Sequence, residues 1–326
     1  MSFISITLLI FVLSLCATVL GLGVLLPVLQ EKKMGQTILE IGPRWHKSKE
    51  GTPTMGGISF FLAVSLAVLL GCLFLPLEDG KILLLALSFA LLNGFVGVID
   101  DLQKLKRHEN AGLAPWQKLV LQTVIAVFFV TMLAMEGSID TTISLPFTSH
   151  VVPLGSFYYF LAVFVIVGVV NSANLTDGID GLATSVGFLI GGFLALEGSA
   201  TDNRGASLLG ASMAGSSFGF LFYNHHPAQI FMGDSGSLFL GALAVGGAFL
   251  LGHPLLILLF GLVYIVEGFS VVLQVLYFKM TKKRLFKMAP FHHHLEKSGL
   301  DETEIVSLFS FLTLIAAVSA HFLLLL

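Results

Sequence analysis

Apolar residues along this chain fall into blocks of roughly 17 to 25, each closed off by a short polar segment. A helix needs a run of that length to cross ~30 Å of hydrocarbon. Backbone groups in lipid must bond within their own segment, so the blocks are predicted to be helices. Ten spans follow, near 3–29, 54–76, 82–99, 117–135, 156–171, 179–197, 206–223, 236–251, 254–279 and 303–325. The first has no positively charged leader and is too long for a signal sequence's apolar region, so it is expected to be a retained helix. Residues 136–155, EGSIDTTISLPFTSHVVPLG, alternate β-branched and polar positions around a proline and predict an external hairpin or loop. The expected fold class is therefore an all-α integral membrane protein of about ten transmembrane helices, a single polytopic domain over 1–326.

Composition agrees with this reading: 56% of residues are hydrophobic and only 11% charged, which excludes an ordinary soluble domain. Charge then sets the orientation. When connections alternate between sides, one side receives Lys32, Lys33, Arg44, Lys47, Lys49, Lys104, Lys106, Arg107, Lys118, Lys279, Lys282, Lys283, Arg284, Lys287 and Lys297, while the other keeps only Lys81 and Arg204. The basic side is predicted to be cytoplasmic, with both termini outside. Cys16 and Cys72 fall within spans and are expected to pack as small apolar groups rather than to pair. Glycine-rich runs at 191–198, 210–215 and 241–248 predict close helix–helix approach, and such faces also allow a homodimer.

Carboxylates are costly near hydrocarbon, so their positions locate the chemistry. Asp100 and Asp101 close one apolar run, and Asn93, seven residues earlier, shares the face of Asp100. That polar stripe should point into the bundle. With Lys104 close behind, the pair suits a metal or phosphate site better than a solvated helix end. In NLTDGIDGLA (174–183), Asp177 and Asp180 would share a face if the segment were a helical turn, and the glycines admit a ligand close to backbone; ordinary Asp-Gly turns are the plainer alternative. In NHHPAQIFMGDSGS (224–237), Asp234 reads either as a helix N-cap or as a carboxylate holding a cation beside phosphate, and the two readings are compatible.

In APFHHHLE (289–296), an extended chain would place His292 and His294 on one side and His293 on the other, so a zinc site is not favoured; imidazoles facing phosphate, or a solvated loop, remain. HKSKEGTPTMGG (46–57) offers Lys47, Lys49 and a turn whose amides and hydroxyls can wrap an anion. Glu267 lies inside a span and shares a face with Gln274, so both are expected to line the interior. No P-loop, dinucleotide fingerprint or serine elbow is present. An acidic, metal-competent centre ringed by Lys and His at a membrane face points to a phosphate-bearing substrate with a lipid partner.

These motifs, in this order, resemble the phospho-N-acetylmuramoyl-pentapeptide transferase family of the polyprenyl-phosphate N-acetylhexosamine-1-phosphate transferase superfamily. TPTMGG, Asp100-Asp101 with Lys104, NLTDGIDGLA, MGDSGS and PFHHHLE carry the likeness over almost the whole chain, with Ile179 and Ser235 as mild departures. The resemblance implies transfer of phospho-N-acetylmuramoyl-pentapeptide from UDP-N-acetylmuramoyl-pentapeptide to undecaprenyl phosphate, with release of UMP, formation of lipid I and a need for Mg²⁺. It further implies residence in the bacterial cytoplasmic membrane, and no nucleic-acid partner. By position, Asp234, Asp100 and Asp101 match metal ligands and catalytic groups, with one of the pair acting on the lipid phosphate. Asn174, Asp177, Gly178 and Asp180 match a nucleoside segment and Phe231 an aromatic under uracil. Asn224, Lys49, Thr54 and Gln274 match the nucleotide-sugar cleft. Lys104, Lys118 and His292, His293 and His294 match groups around the phosphates and sugar-peptide. A secondary transporter would place coupling charges at midplane between repeats, which the sequence lacks. Prenyl-diphosphate chemistry would leave TPTMGG and the triple His unexplained, and a UDP-N-acetylglucosamine transferase is the nearest relative reading.

Overall fold

The computed structural model describes residues 2–32, 49–107, 112–144 and 151–325. Its helices are α1 (Phe3–Glu31), α2 (Gly57–Cys72), α3 (Leu77–Arg107), α4 (Pro115–Met135), α5 (Phe157–Thr176), α6 (Leu182–Ala200), α7 (Arg204–Asn224), α8 (Gly233–Leu250), α9 (Ile257–Phe260), α10 (Leu262–Thr281), α11 (Phe291–Glu296) and α12 (Glu302–Leu324). Among the described residues, nine of these are long and apolar enough to cross a membrane. The span expected at 54–76 is the shorter α2, which begins only at Gly57 because the residues before it run as irregular chain. Lys33, Arg44 and Lys47 lie outside the described residues.

Packing sorts the helices into an inner and an outer set. α7 and α8 are buried almost throughout, whereas α1, α4, α10 and α12 turn rows of Leu, Val and Phe outward, as helices facing lipid do. Cys16 belongs to that outer surface, so the expectation that it packs against neighbours does not hold; Cys72 is half-buried and neither thiol is paired. The glycine-rich runs do what their spacing predicts. A Cβ at Gly191 would lie 2.6 Å from the Ala214 amide, and one at Gly241 would lie 2.7 Å from the Ala173 Cβ, so α6 meets α7 and α5 meets α8 nearly backbone to backbone. Hydroxyls stitch α1 to α7: Thr7 and Ser207 are 3.0 Å apart, Thr18 and Ser216 2.6 Å. The predicted hairpin is present as two short antiparallel strands, β1 (Thr142–Ser144) and β2 (Val151–Pro153), in register at Ile143 and Val152.

Three boundaries differ from the hydropathy reading, each for a local reason. α3 continues beyond residue 99 to Arg107, so Asp100, Asp101 and Lys104 sit within its last turns instead of terminating it; Lys104 reaches back to Asp100 at helical spacing. The span expected at 254–279 is broken: Pro254 opens a single 3₁₀ turn, α9 follows, and Gly261 closes it before α10 begins. α5 ends at Thr176, and the chain through Gly181, whose φ is +77°, starts α6. Asp177 and Asp180 therefore do not share a helical turn.

Candidate active site

At one end of the bundle α3 runs against the start of α8. Asp100 and Asp101 are buried there. Asp101 Oδ1 accepts the Asp234 amide at 3.1 Å and Oδ2 the Ser235 amide at 2.9 Å, so Asp101 caps α8 from a neighbouring helix. Asp234 is thus not the N-cap that the sequence suggested; it stands in the first turn with its own carboxylate free to face inward. The chain achieves this at Gly233, whose φ of +74° and missing side chain let Asp101 and Thr54 approach: a Cβ would meet Asp101 Oδ2 at 2.7 Å. The TPTMGG segment braces the same stretch. Gly56 and Gly57 donate their amides to the Phe231 and Met232 carbonyls, both at 3.0 Å, and Phe231 donates to Pro53 at 2.8 Å. Those two glycine amides consequently do not wrap an anion.

Carboxyl oxygens of Asp100, Asp101 and Asp234 lie within 4.8 Å of one another. Two ammonium groups sit on them. Lys104 Nζ is 2.8 Å from Asp100, 3.9 Å from Asp101 and 3.0 Å from Asp234. Lys118 Nζ is 3.1 Å from Asp100 and also meets Asp234 Oδ2. Asp100 Oδ1 further accepts the Leu113 amide at 2.8 Å. An all-oxygen, three-carboxylate set suits a hard divalent cation and not zinc. The lysines show that the pocket demands positive charge. Their side chains keep 30% and 19% of their exposure, so neither ammonium is sealed in by the protein.

Beside this centre stands Asp177, just past α5. Its carboxyl is pushed well above the usual carboxylate range, first by burial among protein atoms and then by the nearby charges of Asp234, Asp101 and Asp180, although one edge of the residue remains open to the cleft. Asn174, one turn earlier, donates to Ser237 Oγ at 2.8 Å. Asp180 points the other way. Its carboxylate takes Lys49 Nζ at 2.7 Å, the Ala228 amide at 3.0 Å and His226 Nδ1 at 3.0 Å, while Lys49 also reaches Glu302 at 2.6 Å. Lys49 thereby ties the first polar segment to the loop after α5 and to the start of α12. His226 and Glu302 escaped the sequence reading. Glu302 stands in the first turn of α12, where an acid is common at a helix start, and only the tertiary fold brings it to Lys49.

The triple His adopts a short helix, α11, rather than an extended strand, so the three rings fan out around its axis instead of alternating. His292 turns inward and is fully buried. His293 Nδ1 lies 2.5 Å from Glu296 and its ring meets that of His292. His294 stacks on Phe291 and accepts the Lys287 amide at 3.1 Å. Two other expected cleft residues act as braces. Asn224 accepts from Thr184 at 2.8 Å and donates to the Ile230 carbonyl at 3.0 Å; Gln274 takes the Phe286 amide at 2.8 Å. Phe231 is half-buried beside the TPTMGG segment.

Known proteins match this chain in sequence over most of its length. Residues 82–252 match the model described as glycosyl transferase family 4, and residues 49–61 match phospho-N-acetylmuramoyl-pentapeptide-transferase signature 1. A phospho-N-acetylmuramoyl-pentapeptide-transferase of Clostridium kluyveri is 44% identical over 90% of this chain and 91% of its own. The chain belongs to this transferase family. Relatives of the same description from Clostridium perfringens strain SM101 and Clostridium novyi are 42% and 40% identical, covering 92% and 90% of this chain and 90% and 89% of theirs. The family signature falls on the segment that carries Lys49 and Thr54 and braces Phe231 and Met232, so the matched residues are structural members of the site described above.

Proposed function

We propose that this transferase moves phospho-N-acetylmuramoyl-pentapeptide from UDP-N-acetylmuramoyl-pentapeptide to undecaprenyl phosphate, releasing UMP and forming lipid I at the cytoplasmic face of the bacterial inner membrane. The observation that carries the reading is the packing of Asp100, Asp101 and Asp234 against Lys104 and Lys118 at a membrane end, in a chain that shares the family's signature. Asp100, Asp101 and Asp234 would hold Mg²⁺, which when bound offsets the charge of the diphosphate. Lys104 and Lys118, whose ammonium groups stand at the same carboxylates, would hold phosphate oxygens in line. Asp101, with both oxygens occupied by α8 amides, acts as the fixed member of the trio; Asp100 is the better candidate to orient the lipid phosphate. Asn174, Asp177, Gly178 and Phe231 are assigned to the wall nearest the nucleoside, with Asp180, paired to Lys49, supporting the same loop.

Direct in-line attack by the lipid phosphate is the favoured course, because two ammonium groups already stand at the carboxylates to offset phosphate charge without a covalent intermediate. The test is UMP release by the purified chain with undecaprenyl phosphate, comparing UDP-N-acetylmuramoyl-pentapeptide with UDP-N-acetylglucosamine. Release from the pentapeptide donor alone supports the reading. Release from the other donor moves the chain to the sister branch.

A further inference from the structure

Glu267 and His292 form a closed pair beside the proposed nucleoside wall. Both are fully buried, Glu267 on α10 and His292 on α11. One carboxylate grips the histidine twice: Oε1 accepts its backbone amide at 3.0 Å and Oε2 faces its ring Nδ1 at 3.0 Å. Backbone and ring are thus fixed together. A carboxylate only accepts, so the facing Nδ1 carries the proton. The other ring nitrogen, Nε2, is buried and meets no hydrogen-bonding partner in the protein. It lies against the loop after α5: a Cβ at Gly178 would run into Nε2 and would stand 2.6 Å from Cε1. Gly178, which has no side chain of its own, is the residue packed directly against that ring edge, and it adjoins Asp177 in the chain. A buried acceptor without a partner is costly, so a site that keeps one is built to receive a donor from outside.

We infer that Glu267 is a positioning residue that holds His292 in the Nδ1-protonated form, so that Nε2 is presented at Gly178 to accept a hydrogen bond from a donor on the sugar nucleotide. The inference rests on the transferase reading for its substrate. The logic is that of a carboxylate orienting an imidazole in a catalytic dyad: the acid fixes the tautomer and never touches the reacting atoms. Glu267→Gln inverts the demand. Its oxygen can still serve the His292 amide, but its NH₂ then faces Nδ1, which must give up its proton to Nε2 and turn the substrate-facing acceptor into a donor.

The experiment measures kcat and KM from UMP release for Glu267→Gln, His292→Gln and the double variant, with thermal unfolding in detergent as a check on the fold. Each single variant is expected to lose about 10²-fold or more in kcat, with the KM for undecaprenyl phosphate little changed, and the double variant no more than either single. Losses that multiply in the double variant, or full activity in a folded Glu267→Gln chain, overturn the inference. A second measurement needs neither catalysis nor a Glu267 variant: ¹⁵N spectra of the histidine-labelled chain should contain one ring with protonated Nδ1 and bare Nε2, absent from His292→Gln. No such ring in the spectrum of the unsubstituted chain contradicts the clamp even where UMP is released, and its presence in an inactive chain would fault the transferase reading alone.

Discussion

At the residue scale the centre is a problem of charge. Three carboxylates share a small volume with two lysines, whose ammonium groups offset part of their mutual repulsion. Asp234 is the one carboxylate of the three that neither caps a helix nor receives a backbone amide through its side chain, so its neutral replacement should cost chemistry before structure. Asp234→Asn is expected to lower Mg²⁺-dependent UMP release by about 10²-fold or more while the unfolding temperature in detergent stays close to that of the parent. Asp177 makes a different prediction. A carboxyl whose folded value is raised contributes stability at low pH and loses it as pH climbs through that value. With metal chelated, the parent should therefore melt progressively earlier as pH rises above the ordinary carboxylate range. Asp177→Asn, which keeps the neutral shape, should flatten that slope; an unchanged slope would show that Asp177 does not titrate there.

At the scale of elements, hydropathy located the helices because lipid tolerates so few alternatives, and the hairpin at 142–153 was visible in its alternation. The ends of helices were less legible. Asp100, Asp101 and Lys104 fall past the expected span, which stops at residue 99 where hydropathy drops, yet backbone hydrogen bonding carries α3 on to Arg107; the inward face expected for Asn93 and Asp100 is present, both being buried. The cap on α8 was invisible for a stronger reason. It comes from Asp101, more than a hundred residues away, and no local pattern encodes a cap supplied by another helix. The His triplet was misjudged in shape because three identical residues carry no periodicity of their own. Close helix contact, by contrast, was written in the glycines. Gly191→Leu should drive a side chain into the α7 backbone and lower stability by roughly 1–3 kcal/mol or more, while Gly192→Leu, whose Cβ would meet open space, should change unfolding little.

For the whole molecule, the bundle brings five sequence-distant segments to one membrane end, each held by contacts that the others provide. Lys49 joins the segment before α2 to Asp180 and to the start of α12, the TPTMGG segment braces the entry to α8, and α10 carries Glu267 to the histidine helix. The carboxylates Asp100, Asp101, Asp177, Asp180 and Asp234 were conspicuous in the sequence because acids are costly near hydrocarbon, whereas Lys118, Thr54, Asn224 and Phe231 entered the site only through the family resemblance. Sequence reading missed His226 and Glu302 and could not pair Glu267 with His292, because those contacts depend on how separate helices meet. The most direct test of the account is product analysis of the purified chain given UDP-N-acetylmuramoyl-pentapeptide and undecaprenyl phosphate, with Mg²⁺ or with chelator. The account predicts UMP and lipid I in equal amounts with Mg²⁺, and neither with chelator. Equal turnover in chelator, or UMP without a lipid product, would contradict it.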